Sequence, residues 1–151
     1  MPIYYPESLP LGLRNGRTYQ LVSPLQRSQL ASGRAIQRRK FTSVPQGASV
    51  QWLFSDAEGQ AFEAWWRDAL KDGAAWFEMP LRTPMGLQPH TCRFTGVYSG
   101  PAFVGQNIWS YSAELELRFR AAPPVGEGLF PDDIVYSKLL DRTINIEWPT
   151  V

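Results

Sequence analysis

The sequence predicts a mainly β fold: an antiparallel β-sandwich or barrel with one flanking α-helix and extended N- and C-terminal arms. Three observations lead to this prediction. Apolar and polar residues alternate for twelve positions over 109–120, which is typical of a strand with one face in a core. One segment, directly after Ser55, has helical periodicity. The two ends of the chain are rich in proline and glycine and carry no sustained period.

The N-terminal segment 1–35 contains Pro2, Pro6, Pro10 and Pro24. Proline has no backbone N–H to donate, so regular strand ladders are disfavoured here. We therefore predict an extended arm over 1–35. We also expect that a chain without it is a soluble monomer that no longer assembles.

Residues 36–120 are predicted to form the β-sandwich domain. Its first well-marked strand contains Val50, Trp52 and Phe54, which alternate with their neighbours. The segment 38–42 is a weaker candidate for an additional strand.

A helix over about 56–70 follows this strand. Ser55 and Glu58 have the spacing of a capping box, in which the serine caps the helix and the glutamate reaches back. Gly73 follows a basic last turn and supplies a stop signal. One apolar stripe at helical spacing is formed by Phe62, Trp65, Trp66, Ala69 and Leu70.

Later segments predict further strands. We expect a short strand over 75–80 that ends at its proline, and another strand over 89–98. The segment with Gly100-Pro101 and Gly105 is predicted to be a loop. It leads into the alternating strand over 109–120.

The C-terminal segment 121–151 is predicted to be a second arm, with a short helix starting at Asp132-Asp133 after Pro131. It keeps many apolar side chains, which need a surface on this subunit or the next. These are Leu129, Phe130, Ile134, Val135, Tyr136, Leu139, Leu140, Ile144, Ile146 and Trp148.

Charge is distributed unevenly, although the formal net charge is only +1. Residues 1–40 carry seven basic side chains and one acidic side chain, a charge of +6. Residues 41–151 carry eight basic and thirteen acidic side chains, a charge of −5. A basic head on an acidic body favours copies that complement one another. A basic arm is also a common nucleic-acid signature, so the run from Arg34 to Lys40 leaves phosphate binding open.

Reactive groups are scarce. His90 is the only histidine and lies two residues from the only cysteine, Cys92, with no third orienting group apparent. These two residues cannot fill a tetrahedral zinc site, and no glycine-rich phosphate loop occurs. We therefore expect a protein that is not an enzyme, with no catalytic residues, metal or cofactor; a small hydrolase built on Cys92 and His90 is the third-ranked hypothesis. Glu114 and Glu116 share a strand face with the two arginines that follow, which favours a charge ladder.

A single cysteine excludes an internal disulfide and fits a reducing compartment. The segment from Met1 to Pro6 lacks the basic flank and apolar run of a signal peptide. No stretch approaches the roughly 18 apolar residues that span a bilayer. We expect a protein made in a cytoplasm, without a membrane partner.

The order of these elements resembles the minor tail protein M family of lambda-like bacteriophages, over roughly residues 30–120. The segments that carry the resemblance are the strand ending at Phe54, the helix residues Phe62-Glu63-Ala64-Trp65-Trp66, the turn and strand Asp72-Gly73-Ala74-Ala75-Trp76-Phe77 with the proline that follows, His90-Thr91-Cys92-Arg93-Phe94, Trp109-Ser110-Tyr111-Ser112-Ala113-Glu114-Leu115-Glu116, and the opening Gly33-Arg34-Ala35-Ile36-Gln37-Arg38-Arg39. The sequence departs from the family in its longer proline-rich arms.

This resemblance implies a structural component of the virion tail, assembled in the host cytoplasm as a ring of about six copies at the tail tip or distal end of the tail tube. Its partners would be other copies of itself and neighbouring tube, tip or hub proteins, with no specific nucleic acid. The alternative is a basic-arm nucleic-acid-binding protein or a head-tail or tube connector. Contacts between subunits are expected at Tyr4, Tyr5, Arg34, Arg38, Arg39, Lys40, Glu114, Glu116, Phe130, Ile134, Tyr136 and Trp148.

Overall fold

The structure is a computed structural model that describes residues 1–147. In chain order its elements are β1 (Ile3–Tyr4), β2 (Thr18–Leu21), β3 (Leu25–Gln29), β4 (Ala35–Arg39), β5 (Gln46–Ser55), α1 (Asp56–Asp68), β6 (Phe77–Thr83), β7 (Gly86–Phe94), β8 (Ser99–Gly105), β9 (Ile108–Leu117), a 3-10 turn (Glu127–Leu129) and α2 (Pro131–Glu147). The fold is mainly β with a helix beside the sheet, which confirms the predicted class. The chain divides into two compact units, the first over Met1–Ala121 and the second from Ala122 onward.

Seven strands form one mixed sheet in the first unit, and β3 and β4 form a separate two-stranded ribbon. The order of the sheet is β1-β6-β7-β9-β5-β2, and β8 pairs with β9. All pairs are antiparallel except β1 with β6, where Ile3 lies opposite Phe77. The predicted antiparallel arrangement therefore holds apart from this one short pair.

β5 and β9 lie next to each other in the sheet and correspond to the two alternating segments of the sequence. Their register runs without a break from Gln46 opposite Leu117 to Ser55 opposite Ile108. Burying one Leu or Phe side chain contributes about 1.5–3 kcal/mol, so the face that these strands share is a major source of stability. Its buried residues are Ala48, Val50, Trp52, Phe54, Tyr111, Ala113, Leu115 and Leu117.

α1 covers this buried face. The carboxylate of Glu58 accepts a hydrogen bond of 2.8 Å from the backbone N–H of Ser55, as the capping box predicted. Phe62 is fully buried, and the centroid of its ring lies 5.1 Å from that of Phe54. The helix ends at Asp68, close to the predicted end.

The end of α1 is set by three residues in the left-handed region, with φ of 52° at Lys71, 59° at Asp72 and 82° at Gly73. The backbone N–H of Ala75 then donates to the carbonyl oxygen of Leu70 at 3.0 Å. Glycine suits this turn because a β-carbon at Gly73 would lie only 2.9 Å from the indole of the preceding helix. The predicted glycine stop is confirmed.

The strand predicted to end at Pro80 continues through it to Thr83, so that prediction was wrong. Pro80 lies opposite Pro89 on β7. On its other side β6 pairs with β1 only at Phe77 and Glu78. A proline is tolerated in this position because no ladder partner there requires its missing N–H.

The predicted loop around Gly100-Pro101 is instead strand β8. It pairs with β9 through two irregularities in register. β7 pairs with the C-terminal end of β9, at Leu115 to Leu117, and β8 with its N-terminal part, at Ile108 to Ser112. The sequence did not predict this strand because it contains glycine and proline, which are normally depleted in strands.

The N-terminal segment is not an independent arm, which corrects the predicted boundary at residue 35. Tyr5 and Leu9 are buried in the core, and the Tyr5 hydroxyl donates to the carbonyl oxygen of Pro10 at 2.7 Å. Gly12 is buried against Val50. Deleting 1–35 would remove core residues and three strands, so we expect that deletion to destabilise the domain instead of yielding the soluble monomer expected from the sequence.

The second unit begins at Ala122, one residue from the predicted boundary of the C-terminal segment. The helix expected after Pro131 is present, and at seventeen residues it is not short. Asp132 and Asp133 lie in its first turn, where carboxylates favour the positive end of the helix dipole. No helix within 1–147 is long and apolar enough to cross a membrane.

Candidate interaction surface

The ribbon of β3 and β4 is the main candidate surface, and we call residues 22–42 the basic hairpin. Its register places Leu25 opposite Arg39 and Gln29 opposite Ala35. At the tip, the N–H of Leu30 donates to the carbonyl oxygen of Arg34 at 3.0 Å. At the base, the N–H of Lys40 donates to the carbonyl oxygen of Pro24 at 2.7 Å. The hairpin is therefore a regular, closed ribbon.

Five cations and no carboxylates belong to the basic hairpin, namely Arg27, Arg34, Arg38, Arg39 and Lys40. Residues directly opposite each other in an antiparallel pair share a face. Arg27 and Arg39 consequently lie on one face with Leu25, and Arg38 lies on the other with Ile36. Positive charge is thus presented on both faces.

The basic hairpin has no buried residue. Ile36 is 56% exposed, and Leu25, Leu30 and Phe41 are about half exposed. A two-stranded ribbon with no covered face is marginally stable in water, because it gains almost no apolar burial. An exposed ribbon of this kind gains stability when a partner covers it.

Local hydrogen bonds order some of the predicted cations. Arg39 donates to the carbonyl oxygens of Phe41 at 3.0 Å and Thr42 at 2.7 Å. Arg38 donates to the side chain of Gln26 at 3.1 Å. The ammonium of Lys40 lies 5.4 Å from the centre of the Phe41 ring. The structure therefore brings Arg34, Arg38, Arg39 and Lys40 together on one element, as the sequence run suggested.

The acidic residues predicted for the interface lie elsewhere, on the outer face of β9. Glu114 is exposed. Glu116 is half-buried and accepts a 2.7 Å ion pair from Arg93, whose guanidinium stacks 4.7 Å above Trp76. Of the two glutamates predicted for the interface, only Glu114 is therefore exposed.

The two N-terminal tyrosines point in different directions. Tyr4 is exposed and lines an apolar groove with Leu11 and Pro89. Tyr5 is buried against Trp65, with ring centroids 5.6 Å apart, and burial raises its pKa well above the usual range. Tyr5 is therefore a core residue, which corrects its assignment to an intersubunit contact. β1 is only two residues long, so the sequence pattern could not show which of the two tyrosines faces the core.

In the second unit, Phe130 and Tyr136 are exposed and Ile134 is half-buried. Val135, Leu139 and Leu140 on α2 are more than half exposed as well. Trp148, the last residue predicted for the interface, lies outside the described residues.

Sequence reasoning missed three exposed apolar side chains on and before β8. Phe103 and Val104 are each 62% exposed, and Val97 is exposed too. The Phe103 ring packs on Trp109, with centroids 5.1 Å apart. The only signal in the sequence was the apolar pair Phe103-Val104, which lies in a segment predicted to be a loop.

The proposed nucleophile of a hydrolase is poorly suited to that role. Cys92 is fully buried on β7, and burial raises the pKa of its thiol to about 12. Burial also lowers the pKa of His90, which favours its neutral form. A thiol that stays protonated inside a core is inert compared with an exposed thiolate. Within residues 1–147, no cluster of three metal-ligating side chains was found.

Comparison with known proteins gives no match to this chain, either among protein-family models, among curated sequences or among solved structures.

Proposed function

We propose that this chain is a structural protein of a bacteriophage tail, in which copies form a ring at the tail tip or the distal end of the tail tube. The basic hairpin is the observation that carries the proposal. It has five cations, no carboxylate and no buried face, so it suits a neighbouring subunit that supplies acidic and apolar surface.

Charge on the rest of the chain supports the same reading. Residues 41–151 have a formal charge of −5, and the carboxylate of Glu114 is exposed on the sheet. A hairpin on one copy and an acidic body on the next form a heterologous contact, which closes into a ring when the rotation between subunits permits. The exposed apolar side chains of α2 offer a further contact for a neighbouring tail protein.

The resemblance to the minor tail protein M family supports placement in the tail. A purely structural role also agrees with the buried, protonated thiol of Cys92, and it requires no catalytic residue or cofactor. We propose other copies of the chain, and adjacent tube or hub proteins, as its partners.

A loop replacement tests the role of the basic hairpin. The Lys40 N–H donates to the Pro24 carbonyl across the base of the hairpin. Replacing 25–39 with Asn-Gly would make this the i to i+3 bond of a two-residue β-turn, so the chain on either side need not move. The replaced chain should keep its fold by circular dichroism but should be absent from virions, where the complete chain is present as a ring of about six copies. Incorporation at the full copy number would overturn the proposal.

A second function, nucleic-acid binding, is favoured by the five clustered cations of the basic hairpin. Phosphate neutralisation makes such binding fall steeply with salt, with a log–log slope of about −0.9 per contact on duplex DNA. This second function would be preferred over the tail-ring proposal if the free chain bound DNA tightly, with a salt dependence of several log units of affinity per log unit of salt, and were absent from virions.

A further inference from the structure

We propose that a pocket in the first unit, separate from the basic hairpin, binds a phosphate group. The pocket measures about 390 Å³ and is lined by Arg14, Arg17, Tyr19, Arg82, Thr83 and Pro84. It lies where the segment before β2 meets the end of β6, which are distant in sequence. Three arginines therefore contribute to the lining of one small concavity.

These three arginines have no carboxylate to balance them. The ion pairs found within residues 1–147 are Arg67 with Asp68 and Arg93 with Glu116. Like charges held close together repel one another, and a bound anion relieves that repulsion. The electrostatics of the pocket consequently favour an anionic ligand.

Arg17 supplies the second, independent observation. One terminal nitrogen of its guanidinium donates to the carbonyl oxygen of Gly12 at 2.7 Å, which fixes the side chain. Its Nε is buried and has no hydrogen-bond acceptor among the described residues. The bond to Gly12 therefore fixes the Arg17 guanidinium in the pocket wall, and a ligand oxygen would accept from its other terminal nitrogen.

The opposite wall of the pocket is held in place too. The Tyr19 hydroxyl donates to the backbone carbonyl of Arg82 at 2.8 Å. The Thr83 hydroxyl accepts from the N–H of Met85 at 3.2 Å within the β6–β7 turn. A prearranged wall lowers the entropy cost of binding.

Three guanidinium groups fit phosphate better than a single carboxylate. A carboxylate has two oxygens, which one arginine can occupy in a bidentate pair. A phosphate group has three or four oxygens and can accept from several arginines at once. Free phosphate and the phosphodiester of a nucleic acid share this chemistry.

Nuclear magnetic resonance of the full chain gives a direct test, because Arg Nε–Hε groups have their own signals. Inorganic phosphate should shift the Arg17 Nε–Hε signal saturably at constant ionic strength, whereas chloride should not. Arg14→Gln with Arg82→Gln should weaken phosphate binding about tenfold or more, as the loss of charge-assisted hydrogen bonds implies. Arg118→Gln with Arg120→Gln removes two exposed charges outside the pocket and should leave the affinity unchanged.

A short single-stranded oligonucleotide identifies the source of the phosphate. If it shifts the same signal and competes with inorganic phosphate, the site accepts a phosphodiester; if only inorganic phosphate binds, the ligand is a free phosphate. Two results would overturn the proposal: no saturable shift at Arg17, or equal affinity in wild type and in the Arg14→Gln, Arg82→Gln variant. Both are read on the free chain, so the test stands apart from ring formation.

Discussion

The hydroxyl of Tyr19 on β2 donates a hydrogen bond of 2.8 Å to the carbonyl oxygen of Arg82 on β6. β2 is the last strand on one side of the sheet, and among the described residues β6 has no strand partner on its outer side beyond Glu78. The bond therefore links two strands that are separated by β5, β9 and β7 in the sheet order. The sheet of the first unit must therefore curl until these two strands lie close together, as the strands of a β-barrel do.

Removing this link should cost a modest amount of stability. We expect Tyr19→Phe to lower the free energy of unfolding by about 0.5–1.5 kcal/mol, the usual net contribution of one hydrogen bond. Urea denaturation followed by tryptophan fluorescence measures the loss. Tyr4→Phe, which removes an exposed hydroxyl, is the matched control. Equal stability of Tyr19→Phe and wild type would mean that this hydrogen bond does not stabilise the contact between β2 and β6.

The packing of the N-terminal segment into the core can be tested at Gly12. A β-carbon on Gly12 would lie 2.3 Å from a methyl group of Val50. Gly12→Ala should therefore destabilise the protein by about 1–3 kcal/mol through overpacking. Gly96→Ala, where a β-carbon would meet nothing within 4 Å, should change stability by less. A free N-terminal arm would instead make the two substitutions equivalent.

Phe62 should be the main anchor of α1. Its ring lies 5.5 Å from Trp52 and 5.4 Å from Tyr98. We expect Phe62→Ala to cost about 3–5 kcal/mol, which combines lost burial with a residual cavity. Phe119→Ala removes an exposed ring and should change stability by about 0.5 kcal/mol or less. Thermal unfolding of the two variants compares them, and similar melting temperatures would contradict this role for Phe62.

Cys92 should make stability depend on alkaline pH. Burial raises the pKa of its thiol from 9.0 to about 12, so the folded state disfavours the thiolate. The stabilisation is complete below pH 9, where the unfolded thiol is also protonated, and it is lost as pH rises toward 12. At pH 10 the loss attributable to Cys92 is on the order of 1 kcal/mol relative to pH 8.

Urea denaturation of Cys92→Ala over the same pH range isolates this effect. Tyr5 and Tyr111 also have raised pKa values through burial, so the variant retains their part of the alkaline destabilisation. The variant should lose on the order of 1 kcal/mol less than wild type between pH 8 and pH 10. Parallel pH profiles would mean that the thiol ionises freely in the folded protein.

Charge on the basic hairpin should affect assembly more than folding. Arg27→Gln, Arg34→Gln and Lys40→Gln remove three exposed cations that make no contact with the core. Unfolding free energy should change by less than about 0.5 kcal/mol, while incorporation into virions should fall and become more sensitive to salt. Arg118→Gln with Arg120→Gln is the charge control, and equal loss of incorporation in both would point to net charge alone.

Local patterns in the sequence determined the most regular elements. The alternation around Trp52 and Leu115 reported strands with one buried face, because successive side chains of a strand point to opposite sides. Ser55, Glu58 and Gly73 marked the ends of α1, because caps and glycine stops act through bonds to their immediate neighbours. The class of the fold followed from these short-range signals.

Tertiary structure decided the placement of segments without such signals. Tyr5 and Gly12 join the core only because β6 and β5 supply partners that lie more than thirty-five residues away in the chain. The pocket described above likewise has Arg17 and Arg82 in its lining, because β2 and β6 lie close together where Tyr19 bonds to Arg82. Periodicity reports which face of an element is buried. It does not report which distant strand lies beside it, because that choice depends on long-range packing and on the curl of the sheet.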